Sequence, residues 1–210
     1  QWRFHLGALA VHAPVVVDEF VYVGDLDGHI HILDAASGAE QDRFSPGQEV
    51  WSIFIEEDTL YIAVDNELVT MNRHTGIERW RVQHPGSGRD SFTGQLHLDD
   101  EYLYLMTMDR LTAVNKADGT LAWQYGRFHG SVFSEPAVAE GLVVVGDSDS
   151  YLYVFDATSG KLIRRYYMVR HDPSSELSYT AEFVFDPAVV DGVIYFGWYD
   201  FLYAAHVPNS

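Results

Sequence analysis

The stretch from Pro14 to Gly38 reads P-V-V-V-D-E-F-V-Y-V-G-D-L-D-G-H-I-H-I-L-D-A-A-S-G. Three short apolar runs are separated by Asp18-Glu19 and by Asp25-Leu-Asp-Gly28, the composition of strands joined by tight turns. The pattern returns in segments ending at Gly76, Gly119 and Gly160, and again from Pro187 to His206. Tyr22, Tyr61, Tyr104, Val144 and Tyr195 hold one register, spaced 39, 43, 40 and 51 residues apart. A period near 40 with alternating strands and no helical pattern specifies blades, one four-stranded sheet each. The expected fold is an all-β β-propeller of four-stranded antiparallel blades.

Within each repeat the turn chemistry is regular. Asp18-Glu19, Glu57-Asp58, Asp100-Glu101, Glu140-Gly141 and Asp191-Gly192 make the first hairpin. The third strand ends at Asp34, Asn72, Asn115 or Asp156, just before a Gly that tolerates positive φ. A fourth strand follows, with Trp80 and Trp123 each four residues after that Gly, and Phe44 and Tyr166 as the apolar candidates in blades one and four.

The fifth repeat stops after its third strand, at His206-Val-Pro-Asn-Ser210, while Gln1-Trp2-Arg3-Phe4 matches Trp80-Arg81-Val82 and Trp123-Gln124-Tyr125. Residues 1–6 therefore read as a donated outer strand of the last blade, closing five blades into one domain over 1–210 and covering two exposed edges. The blades run approximately over 9–46, 47–84, 91–127, 131–168 and 181–207. A segment of a seven- or eight-bladed parent is the competing reading.

Composition excludes several classes. Thirteen basic against 31 acidic residues give a net charge of −18, the wrong sign for binding nucleic acid or an anionic membrane surface. No apolar run reaches membrane-spanning length, so no direct membrane insertion is expected. The absence of Cys removes disulfides, thiolate nucleophiles and cysteine metal sites. Lys116 and Lys161 are the only lysines, a surface that suits either a salt-adapted source or a GC-rich, acidic one. That the chain starts at Gln1 fits a cleaved signal peptide and a trimmed chain equally.

The segments Val21 to Gly38, Leu60 to Trp80, Leu103 to Trp123, Val143 to Gly160 and Val193 to Ala205 resemble the PQQ-like repeat, whose signature is close to V-Y-V-G-S-x-D-G-x-L-Y-A-L-D-A-x-T-G-x-x-x-W. With its loops the resemblance covers almost the whole chain. The family includes quinoprotein dehydrogenases, the propeller lipoprotein of outer-membrane assembly machines and extracellular sensor domains. It implies the fold, and leaves function to be argued from sites. The quinone enzymes of this resemblance are eight-bladed and much longer, and several carry a disulfide of adjacent cysteines. No cofactor is therefore expected. Five-bladed glycosidases lack this repeat, and G-x-S-x-G is missing, so no enzyme activity is expected.

Candidate binding residues lie in the loops that link blades and in the mid-blade turns, where loops of successive blades converge. His12, Trp51, Glu135 and Glu182 precede first strands and could share an axial mouth. Phe92, Phe133 and Tyr179 are aromatic anchors in linking loops, and the longest loop, Met168 to Glu182, also contains His171. Trp198 and Tyr199 stand where other blades carry a D-x-D turn. Asp25/Asp27 and Asp147/Asp149 have calcium-like spacing, but lack the rest of a calcium loop and read as turn chemistry. His29 and His31 project together from one strand without a third metal ligand, so no metal is expected. The expected function is a non-catalytic scaffold that binds a protein partner, outside the cytoplasm. The alternative is a sensor that holds a small-molecule ligand or glycan at the axial mouth.

Overall fold

The computed structural model describes residues 1–47, 49–65, 67–83, 92–107, 110–131, 134–168, 186–198 and 201–207. Every regular element among them is a β-strand. The first sheet runs β1 (Val15–Val17), β2 (Phe20–Gly24), β3 (Ile30–Asp34) and β4 (Glu40–Phe44). The second has β5 (Val50–Glu56), β6 (Thr59–Val64), β7 (Glu67–Asn72) and β8 (Glu78–Gln83), and the third β9 (Phe92–Leu98), β10 (Tyr102–Thr107), β11 (Leu111–Asn115) and β12 (Leu121–Tyr125). The fourth consists of β13 (Ala137–Ala139), β14 (Leu142–Gly146), β15 (Tyr151–Asp156) and β16 (Leu162–Tyr167). The last holds three strands among the described residues, β17 (Ala188–Val190), β18 (Val193–Trp198) and β19 (Phe201–His206). Strands neighbouring in sequence pair antiparallel, as the repeat requires.

The turns behave as their residues dictate. Asp18, Glu57, Glu140 and Asp191 open the first hairpins at φ of 54°, 49°, 54° and 51°. Positive φ there gives a two-residue loop the twist of its flanking strands. In blade three the turn is one residue longer. There the Asp99 carboxylate accepts the amides of Glu101 and Tyr102 at 2.8 and 2.7 Å.

The chain divides into two compact units, Gln1–Leu96 with Ala117–Thr120, and His97–Lys116 with Leu121–Ser210. In the first unit, one face of blade one (Tyr22, Ile30, Ile32, Phe44) packs on the opposite face of blade two (Leu60, Ile62, Val69, Met71). In the second unit the same relation recurs twice. Tyr104 and Met106 meet Val143, Val145 and Phe155, and Val144 and Val154 meet Ile194 and Phe196. The shared register thus marks the face that blades one, three and four turn to the next: Tyr22, Tyr104 and Val144 are buried in those contacts, and Tyr61 is buried as well. Tyr195 departs from the set and is 40% exposed.

A bulge interrupts each outer pairing, and in blades two and three it places a Trp against the following blade. The register shifts after Ile32, Thr70, Ala113 and Val154, opposite the residues just before Asp42, Trp80, Trp123 and Arg164. Trp80 lies against Gly119 and Trp123 against Gly160, while in blade one Phe44 takes the role against Gly76. A Cβ on Gly119 would come within 2.8 Å of the Trp80 ring, and one on Gly76 within 2.7 Å of Phe44. Each glycine is thus required twice over, by a left-handed φ and by the ring above it. Trp2 occupies the equivalent position over Gly38, and its indole donates to the Ala35 carbonyl at 3.0 Å. Residues 1–6 themselves take no strand, although they were expected to form one.

Candidate functional site

The two D-x-D turns are closed by their own backbone. Asp25, 1% exposed, accepts the amides of Asp27 and His29 at 3.0 and 2.8 Å through Oδ1. Its Oδ2 faces His31 Nε2 at 3.1 Å, and His31 Nδ1 faces Glu40 at 2.8 Å. Arg43 holds Glu40 through two hydrogen bonds of 2.9 Å. Burial pushes the Asp25 carboxyl up, but the His29 amide and the His31 ring outweigh it and leave it below the ordinary carboxylate range. Glu40 is also held low, first by Arg43 and then by His31. The H-x-H pair therefore converges on a carboxylate that anchors a turn. Among the described residues no group of three His, Asp or Glu side chains could hold a metal ion.

Blade four repeats the turn with another donor. Asp147 Oδ1 accepts the amides of Asp149 and Tyr151 at 3.0 and 2.9 Å, while Oδ2 takes the Tyr153 hydroxyl at 2.8 Å and the amides of His129 and Gly130. Burial, above all, pushes the Tyr153 hydroxyl up, so it stays a donor. The pinned 129–130 backbone lays the His129 ring on Tyr151, with centroids 4.4 Å apart and planes 19° from parallel. Arg165 donates to His129 Nε2 at 2.7 Å and stands over Tyr151 at 5.0 Å. Tyr167, paired opposite Tyr151 across β15 and β16, packs on it at 4.7 Å and remains 59% exposed. The result is a stacked aromatic patch with one cation on a strongly acidic chain. No residue of this patch was among the candidates read from the sequence. The signal was the alternation of Tyr151 and Tyr153 on one strand with Arg165 and Tyr167 on the next.

The residues expected to bind fare differently. His12 is half-buried; its Nδ1 donates to the Ala13 carbonyl at 2.8 Å and its Nε2 accepts the Gly24 amide at 3.1 Å. Burial holds the ring's pKa down, as its role as acceptor requires. Trp51 is the extra residue of a bulge in β5, half-buried, beside a Val50 that shares Gly24 with His12. Glu135 meets two neighbours that were not anticipated. Its amide donates to Asp186 at 2.8 Å, and its carboxylate stands 4.0 Å from His97 Nε2. Burial and then the Asp186 charge raise the Glu135 carboxyl, while burial lowers His97. Phe133, His171, Tyr179, Glu182 and Tyr199 lie outside the described residues, as do the side chains of Phe92 and Trp198.

The family model described as outer membrane protein assembly factor BamB matches residues 1–125 and 64–198. The chain is 25% identical over 188 residues to the BamB of Shewanella oneidensis, covering 83% of this chain and 44% of that protein. It is 27% identical over 125 residues to the serine/threonine-protein kinase AfsK of Streptomyces coelicolor, covering 59% of this chain and 13% of the kinase. Among solved structures, BamB from Moraxella catarrhalis superposes with a TM-score of 0.71 at 16% identity, over 98% of this chain and 60% of that one. The chain thus spans less than half the length of these curated relatives. With the repeats, the blade packing and the family match together, the chain belongs to the PQQ-like β-propeller family of the outer membrane protein assembly factor BamB.

Proposed function

We propose that this chain is a non-catalytic propeller scaffold that binds a protein partner outside the cytoplasm, through the aromatic patch of blade four. The observation that carries this is the stack of His129, Tyr151, Tyr167 and Arg165, held from below by Asp147. Tyrosine and arginine are enriched at binding hot spots, tyrosine because its ring buries a large area with few rotatable bonds. Here both already have partners within the blade, Arg165 on His129 and Tyr151 and Tyr167 on Tyr151, which lowers the cost of ordering them on binding. Relatives named for outer membrane protein assembly favour this reading and the extracytoplasmic location. The kinase is matched over 13% of its length, so its name lends no support to catalysis here.

Affinity purification from the protein's own source, comparing the wild type with Arg165→Ala and Tyr167→Ala, tests the proposal. A polypeptide retained by the wild type and lost with both variants is expected. A small-molecule reading would rest on the cluster of His97, Glu135 and Asp186, and predicts instead that Glu135→Gln is the sensitive variant.

A further inference from the structure

The two D-x-D turns share their anchors but not their chemistry. In both, one carboxylate oxygen holds two backbone amides and the other takes a side chain six residues on, His31 for Asp25 and Tyr153 for Asp147. A phenol brings its own proton to that contact, and burial keeps the Tyr153 hydroxyl protonated. An imidazole has one proton to donate when neutral and two when charged. His31, 1% exposed, faces carboxylates at both ring nitrogens. Its Nε2 stands 3.1 Å from Asp25 Oδ2 and its Nδ1 2.8 Å from Glu40 Oε1.

Carboxylate oxygens can only accept. Asp25 and Glu40 are both held below the ordinary carboxylate range, so neither supplies a proton at neutral pH. A neutral ring would satisfy one of them and turn a lone pair on the other, leaving a buried acceptor without its donor. The other groups around the ring do not repair this. His29, in the same turn, has Nδ1 3.5 Å from Asp25 Oδ1, and Arg43 on β4 is committed to Glu40 through two hydrogen bonds. From the N-terminal segment the ring meets Phe4 edge-on at 5.5 Å, an uncharged neighbour. With a doubly protonated ring, the Asp25 and Glu40 charges are balanced by His31 and Arg43.

We infer that His31 is an imidazolium, protonated on both ring nitrogens, and that this proton makes the first D-x-D turn a pH-sensitive latch. Blade four, latched by a phenol, lacks the sensitivity. The blade-one latch holds more than its own turn. The Asp25 carbonyl accepts the Val50 amide at 3.0 Å, at the start of β5 in blade two, and the Leu26 amide donates to the Leu9 carbonyl at 3.0 Å. Loss of the proton in alkaline solution frees the Asp25 side chain, and with it loosens the tie from blade one to β5.

Nitrogen NMR of the whole chain, isotopically labelled in histidine, tests the protonation directly. At neutral pH His31 should show two protonated ring nitrogens. His12, which donates through Nδ1 and accepts through Nε2, should show one of each kind and serves as the internal standard. Raising the pH until the His31 signature changes should lower hydrogen-exchange protection of the Asp27, His29 and Val50 amides by about tenfold or more, the loss expected for a hydrogen bond to a charged group. Protection at Asp149 and Tyr151 should hold across the same range. His31→Tyr copies blade four and should abolish the pH response; if that variant does not fold, the wild-type measurements decide alone. An unprotonated nitrogen on His31 at neutral pH overturns the inference. So does an imidazolium that persists until the fold is lost, or protection that falls equally in both turns.

Discussion

The indole of Trp123 donates to the Ala157 carbonyl at 2.7 Å while its ring fills the space a side chain on Gly160 would need. One blade is thereby locked to the next through a hydrogen bond and a ring-on-backbone contact. Gly160 and Gly141 both hold left-handed φ, 65° and 74°, but nothing lies within 4 Å of a Cβ built on Gly141. Gly141→Ala should cost only backbone strain, about 1 kcal/mol, and Gly160→Ala about 3 kcal/mol because the ring must also move. Denaturant unfolding of the two variants measures the difference. Equal losses would mean that the ring contact contributes nothing.

A second expectation concerns the anchor of the first D-x-D turn. His31→Leu leaves the buried Asp25 carboxylate facing an apolar group and should cost about 3 kcal/mol. His31→Tyr should be milder, because Tyr153 already serves Asp147 in blade four at the same six-residue spacing. Thermal unfolding ranks the variants; a leucine variant as stable as the tyrosine one contradicts the assignment.

Most of the fold was legible because strand period and turn chemistry are local. The Asp25 and Asp147 turns were read correctly as backbone anchors for the same reason. What stayed hidden depends on contacts between strands or between blades. The spacing of Trp123 after Gly119 is visible in sequence, but its target, Gly160, lies a full repeat further on and already has a local explanation in its φ. His12 looked like a free loop histidine because the Gly24 amide that it accepts belongs to a different strand. The blade-four patch needed the cross-strand register of Tyr151 and Tyr167, which depends on a bulge that no local pattern marks.

Acid should destabilise the protein through its half-buried histidines. Burial lowers the pKa of His12 and His97 in the folded state, so below the ordinary histidine pKa of about 6.5 the unfolded chain binds more protons. Their contribution is intact at neutral pH and is lost as the pH falls through that value. Asp25 and Glu40, held low, contribute above the ordinary carboxylate pKa and are lost in a more acidic range. Unfolding midpoints of the wild type and His12→Gln, from neutral to about pH 5, should converge as the pH falls. Parallel curves would mean that His12 protonates as freely folded as unfolded.

The scaffold claim meets its most direct test in photo-crosslinking from position 167 in living cells of the protein's own source. A benzophenone side chain in place of the exposed Tyr167 should capture one discrete polypeptide, and Arg165→Ala in the same chain should abolish the adduct. The same probe at Ile77, 66% exposed on blade two, should capture nothing comparable. No adduct at 167, or the same adduct from both positions, would contradict a binding surface on blade four.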